Sequence, residues 1–123
     1  VLLYPTAIGW LANEKAELGA AQLDAWKTIQ RSHAIANGVF VIAVNRVGIE
    51  TMGDRAIEFW GHSFVCDPSG RVLVEAGEDE ETLIVEIDRA AIAEQRRWWP
   101  FFRDRRIDAY DGLLERYLDS RTK

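Results

Sequence analysis

The sequence is poor in the residues that several kinds of chemistry require. Its 123 residues hold one cysteine, one methionine, two histidines and three prolines. A lone cysteine cannot close an internal disulfide, which excludes a small secreted scaffold held by cross-links. His33 and His62 lie far apart with no Cys or His at ligand spacing around either, so no metal is expected. Glycine-rich phosphate loops are missing, and no cofactor is expected. No apolar run nears the roughly 20 residues that span a bilayer, and no signal peptide opens the chain, so a cytoplasmic location is the expectation. Positive charge is short as well. Fifteen Lys+Arg stand against 20 Asp+Glu, a net charge of −5, whereas nucleic acids and anionic membranes both call for a cationic face.

What is present is core material. The chain is 48% hydrophobic with five Trp and five Phe, enough to offset the entropy of ordering. Its length suits part of one domain, taken as 1–123, with a core of its own. It opens at Val1 with Val-Leu-Leu-Tyr-Pro, a strand already under way, and its only Met is Met52. A strand at a raw terminus leaves an unmanaged sheet edge. The expectation is the C-terminal part of a larger protein.

Along the chain, Val1–Tyr4 reads as a strand ended by Pro5, and 13–21 as a polar surface loop with an irregular turn. Leu23, Trp26, Gln30, His33, Ala34 and Asn37 then recur at helical spacing, with Gly38 placed as a C-terminal cap. The apolar run Val39–Val44 reads as a strand buried on both faces, and Val47–Arg55 as a polar loop. Ile57–Cys66 is one strand, Asp67-Pro68-Ser69-Gly70 a hairpin turn, Arg71–Ala76 its partner, and Thr82–Ile87 a further strand. Asp88 caps a helix to about Arg97, and a last short helix covers Asp111–Leu118. The order implies half of a layered α/β sandwich.

Candidate chemistry narrows quickly. Cys66 lies in an apolar strand with no adjacent cation, so it reads as a buried structural thiol. Ser63 and His62 are strand neighbours on opposite faces and cannot form a nucleophile–base pair, and no G-x-S-x-G elbow is present. Glu78-Asp79-Glu80-Glu81 reads as a solvated turn, and Arg103-Asp104-Arg105-Arg106 as an ion-paired anchor for the tail. Ligands of open α/β sheets meet residues just past the carboxyl ends of strands. That places Thr6 and Asn45 at a pocket, with Arg46 either serving an anion or forming a surface pair. His62 is either pocket wall or core packing.

Several motifs together resemble the carbon–nitrogen hydrolase (nitrilase) superfamily. They are Tyr4-Pro5-Thr6-Ala7-Ile8-Gly9-Trp10, His33–Gly38, Asn45-Arg46-Val47-Gly48, and Phe59–Phe64 followed by Asp67-Pro68-Ser69-Gly70. The tail from Trp99 to Tyr110 is similar to that of the N-carbamoylputrescine amidase branch. The resemblance implies an αββα sandwich, truncated at its N-terminus. Its Glu, Lys and Cys lie on segments before the Tyr-Pro-Thr-Ala-Ile-Gly strand, and none of the three is matched here. It further implies a small carbamoyl or amide substrate bordered by Thr6, Ala7, Ile8, Asn45 and His62, without a cofactor. Trp26, His33, Trp98, Trp99, Phe101 and Phe102 correspond to surfaces of subunit association in a homo-oligomer. The rivals are another branch of the same superfamily, such as a carbamoyl-amino-acid hydrolase, and a non-catalytic interaction module. The chain by itself is expected to be inactive and poorly soluble.

Overall fold

The computed structural model describes residues 1–11 and 13–117. Seven strands form two sheets. β1 (Leu2–Thr6), β3 (Val41–Asn45), β6 (Phe64–Cys66) and β7 (Val72–Glu75) make a four-stranded sheet in the order β1-β3-β6-β7. β2 (Gly9–Leu11), β5 (Arg55–Trp60) and β4 (Val47–Met52) make a three-stranded one in the order β2-β5-β4. β1 and β3 run parallel, with Thr6 opposite Asn45, and the helix α1 (Lys15–Asn37) lies between them in the chain. All other pairings are antiparallel. Pro5 is tolerated in β1 because that strand lies at a sheet edge, where an absent N–H costs no ladder bond.

The core forms where α1 meets both sheets. Trp26 of α1 packs edge-on against Phe64 of β6, with centroids 5.7 Å apart, and leans on Trp60 of β5 at 6.1 Å. Trp60 in turn meets Trp10 of β2 at 5.1 Å. Val41, Ala43, Ala34 and Cys66 fill the space around these rings. Trp26 is 8% exposed, so the position expected at a subunit surface belongs to the chain's own core.

Five expectations are corrected. First, α1 starts at Lys15, well before Gln22: Ala16, Glu17, Ala20 and Ala21 are sound helix residues. Gly19 is small because the ring of Trp10 lies over it, 3.2 Å from where a Cβ would stand. Second, Val39–Val44 is buried on both faces only at its start, where Val39 and Phe40 are both buried. Val41 and Ala43 lie under α1, while Val44 is 52% exposed on the other side. Third, Val47–Met52 is an edge strand, joined to β5 by the two-residue turn Gly53-Asp54, with Gly53 at φ +63°. Gly48–Met52 are all exposed, Ile49 and Met52 included, so the alternation that marks a half-buried strand is absent. Fourth, Ile57–Cys66 breaks at Gly61-His62, where the chain leaves one sheet for the other. Fifth, 82–87 forms no strand: Leu83, Val85 and Ile87 do alternate inward, but no ladder holds them.

The Asp67–Gly70 turn forms as read, with Gly70 at φ +80° and Asp67 Oδ1 accepting from the N–H groups of Ser69 and Arg71. Asp88 Oδ1 accepts the Ala90 N–H at 2.8 Å and starts α2 (Ala90–Trp98). Beyond it the described residues form short 3-10 turns at Ile107–Ala109 and Asp111–Leu114, and Leu118, the end of the expected last helix, falls outside the described residues. Arg96 ties this tail to the body: its guanidinium donates twice to the Asn37 carbonyl, at 3.1 and 3.2 Å. It thereby places a cation at the C-terminus of α1, whose own last turn has none. Trp26→Ala is expected to destabilise the chain by about 3–5 kcal/mol. Trp98→Ala, at a side chain 74% exposed, should change stability by less than about 0.5 kcal/mol. Urea unfolding of the two variants checks the contrast.

Candidate functional site

β1 and β3 end side by side, and just past their ends the chain makes a small polar wall. Asn45, the last residue of β3, is 7% exposed. Its Nδ2 donates to the carbonyls of Ile8 and Gly61, both at 3.0 Å. Its Oδ1 accepts the Ile8 N–H at 2.9 Å and lies 3.1 Å from the Thr6 hydroxyl. That hydroxyl shares its single proton with the Val44 carbonyl, also at 3.1 Å. The Asn45 N–H donates to Ser63 Oγ at 2.9 Å. Both donors and both acceptor positions of the Asn45 amide are therefore used inside the chain. Asn45 cannot also bond a ligand; it fixes the loop that would face one.

Thr6, Ile8 and Asn45 are thus brought together, and Ala7 stands exposed at the tip of the same loop. Ile8 also borders an open groove of about 530 Å³ between the loop and α1, whose other walls include Gln22, Trp26, Ile29 and Trp60. His62 joins the wall only through the backbone, for the carbonyl bonded by Asn45 belongs to its neighbour Gly61. The His62 ring turns away: Nδ1 lies 3.0 Å from Glu75 Oε1, and Lys27 Nζ meets both oxygens of that carboxylate at 2.7 Å. Burial works against the ionised Glu75, but the hydrogen bonds from Lys27 and His62 outweigh it and hold its pKa below the usual carboxylate value.

Arg46 is occupied. Its guanidinium donates to Glu50 at 2.7 Å and stacks over the Phe59 ring at 4.3 Å. Cys66 is fully buried, and burial pushes its thiol pKa up, as befits a structural residue. His33 is exposed beside the Tyr4 ring, at 5.9 Å, and Trp98, Trp99, Phe101 and Phe102 are exposed on the tail. The sequence marks the strand end Gly61-His62-Ser63 beside Asn45-Arg46, but Glu75 and Lys27 were missed. The signal for Glu75 was a carboxylate at an inward-facing step of a short apolar strand, where burial demands a partner.

A clamped loop beyond the carboxyl ends of parallel strands is where open α/β sheets meet small ligands. Residues 2–97 match the carbon–nitrogen hydrolase family, and the chain belongs to that family. It is 40% identical over 119 residues to an N-carbamoylputrescine amidase of Solanum tuberosum, covering 93% of this chain and 39% of the relative. It is 36% identical over 118 residues to a citrullinase of Francisella tularensis, covering 95% of this chain and 40% of the relative. The crystal structure of a carbon–nitrogen hydrolase from Helicobacter pylori superposes with a TM-score of 0.89 at 50% identity, over 95% of this chain and 41% of the other. The chain therefore spans about two fifths of the length of these proteins and shares their α/β fold.

Asn45→Ala should cost about 2–4 kcal/mol, because the Ile8 N–H and the Gly61 carbonyl lose a partner where little water reaches them. A urea midpoint shift worth less than about 0.5 kcal/mol would contradict the clamp. Acid provides a second check. Glu75 and Asp67 both titrate below their ordinary values, so each favours the fold above its unfolded pKa and loses that contribution as pH falls through the lower folded one. Unfolding midpoints should hold steady from about pH 7 to 5 and drop below about pH 4. Glu75→Gln should make that drop shallower.

Proposed function

We propose that this chain carries the loop wall and tail of an amidase that cleaves a carbamoyl C–N bond, with N-carbamoylputrescine as the substrate of the whole protein. The observation that carries the reading is the Thr6-Ala7-Ile8 loop, locked by Asn45 at the carboxyl ends of two parallel strands. A loop held in this way presents a preformed surface to a small amide without further ordering on binding. The 40% identity to the potato amidase supports the substrate.

In the proposed chemistry the Cys, Glu and Lys lie on segments outside this sequence. The thiolate attacks the carbamoyl carbon, Glu serves as general base and Lys stabilises the oxyanion. Ammonia leaves, and a thioester-type carbamoyl–enzyme remains. Water then adds to the same carbon and breaks its bond to sulfur, and the released carbamic acid separates into putrescine and carbon dioxide. Thr6, Ala7 and Ile8 border the substrate, and Asn45 shapes that border. The exposed tail aromatics, with His33, form an association surface between copies. Such an activity belongs in the cytosol, in the making of polyamines.

The relation to a citrullinase supports a rival, a ureido acid substrate. An amino-acid end calls for a cation facing its carboxylate. Arg46 is the cation beside the wall, and it is exposed, paired with Glu50 and stacked on Phe59. That engagement favours a substrate without a carboxylate. The test mixes the 123-residue chain with the N-terminal segment of a related amidase and follows ammonia release. Release from N-carbamoylputrescine in the mixture, with none from the chain alone and little from citrulline, is the expected result. Release by the chain alone would contradict the proposal, and a folded complex inert to both substrates would favour a non-catalytic module.

A further inference from the structure

We propose that Glu75 is a positioning residue for the Thr6–Asn45 wall, acting through His62 and held in place by Lys27 of α1. The inference rests on reading that wall as part of a substrate site. It starts from the backbone. Gly61 and His62 are consecutive residues in the left-handed region, at φ +62° and +53°. Glycine is required at 61, where a Cβ would stand 2.5 Å from the Gly77 carbonyl oxygen. His62 carries a Cβ and adopts the same region, a conformation that a non-glycine residue holds only when its surroundings impose it.

Two contacts impose it. The His62 N–H donates to the Gly77 carbonyl at 3.0 Å, and the ring Nδ1 lies 3.0 Å from Glu75 Oε1. Glu75 cannot drift, because Lys27 Nζ grips both its oxygens at 2.7 Å. The three side chains are between 24% and 27% exposed, so solvent screens them only in part. Glu78, from the turn after β7, faces the other ring nitrogen at 4.0 Å and is itself 3.8 Å from Lys15. The His62 ring is thus held between two carboxylates, each of which a lysine of α1 approaches.

The consequence lies one peptide away. With His62 fixed, the preceding carbonyl, that of Gly61, points at Asn45 Nδ2 at 3.0 Å. Asn45 holds the Ile8 N–H and carbonyl with what remains of its amide. A line of hydrogen bonds therefore runs from α1 through Glu75, His62 and the Gly61 carbonyl to the loop that would border substrate. The hydrogen bonds of the Glu75 carboxylate go to Lys27 and His62, not to that loop or to Asn45.

The test observes the Asn45 side-chain amide protons of the 123-residue chain by NMR, with global stability measured separately by urea. Glu75→Gln keeps the shape but weakens the grip of Lys27. It is expected to speed exchange of the Asn45 amide about five- to tenfold beyond any change in global unfolding. Lys27→Met, at a partly exposed position, should move it the same way. Glu58→Gln breaks the comparable pair with Lys15, at 2.6 Å, and should leave Asn45 alone. Asn45 exchange that is unchanged in both Glu75→Gln and Lys27→Met would overturn the proposal, as would exchange that merely tracks global stability in all three variants. Should Glu75→Gln fail to fold, Lys27→Met decides. The readout needs no substrate, so a failure of the amidase reading leaves it intact and is told apart from it.

Discussion

The side-chain amide of Asn45 is the joint on which this structure turns. The chain passes between its two sheets four times: once by way of α1, from β2 to β3, and three times directly, from β1 to β2 through Ala7-Ile8, from β3 to β4 through Arg46, and from β5 to β6 through Gly61–Ser63. The three direct crossings meet at one corner. Asn45 stands at the second, and its amide bonds both the first, at Ile8, and the third, at Gly61. Backbone bonds draw the corner tighter: the Arg46 N–H donates to the Thr6 carbonyl at 3.3 Å, and the Gly61 N–H to the Arg46 carbonyl at 3.0 Å. No apolar residue could replace Asn45, because the loop carbonyls and N–H groups it serves would lie next to a buried side chain with nothing to bond. Leucine there would leave the sheets in contact through Trp26, Trp60 and Phe64 but would lose the corner that fixes their register.

That arrangement explains what the sequence disclosed and what it kept hidden. Asn45 and Thr6 were legible because polar residues at the ends of apolar strands have few reasons to be there other than caps or ligands. The role of Asn45 was not legible, because its partners lie 16 and 37 residues away and only the parallel pairing of β1 with β3 brings them near. The helix and the Asp67–Gly70 turn were read correctly from spacing and turn chemistry. The start of α1 was missed because Gly19, a poor helix residue, makes way for a tryptophan from another strand, so packing dictated a residue that locally reads as loop. β4 was missed for the opposite reason: it is an exposed edge strand whose residues answer to solvent. Trp26 was misplaced because a helical stripe shows only that one face is apolar, not whether a sheet of the same chain or a second copy covers it.

The fold also separates two jobs that a site must combine. The surface a small amide would meet is the loop Thr6-Ala7-Ile8, with Ala7 and Ile8 turned outward. Its shape is set from behind, by groups with no free bonding capacity. The ion pair of Arg46 with Glu50, out on the edge sheet, is part of the same economy: the charge nearest the wall is neutralised by its own strand.

The central claim is that the Asn45 amide holds the loop, and the Ile8 backbone N–H reports on it most directly. Ile8 sits in a surface loop with a side chain 37% exposed, yet its N–H has one partner, Asn45 Oδ1 at 2.9 Å. Hydrogen exchange of that single amide, measured by NMR on the 123-residue chain, decides the matter. The account predicts slow exchange that matches the amides of β3, so that loop and strand open together. Exchange at the rate of an unprotected loop, with β3 still protected, would contradict it.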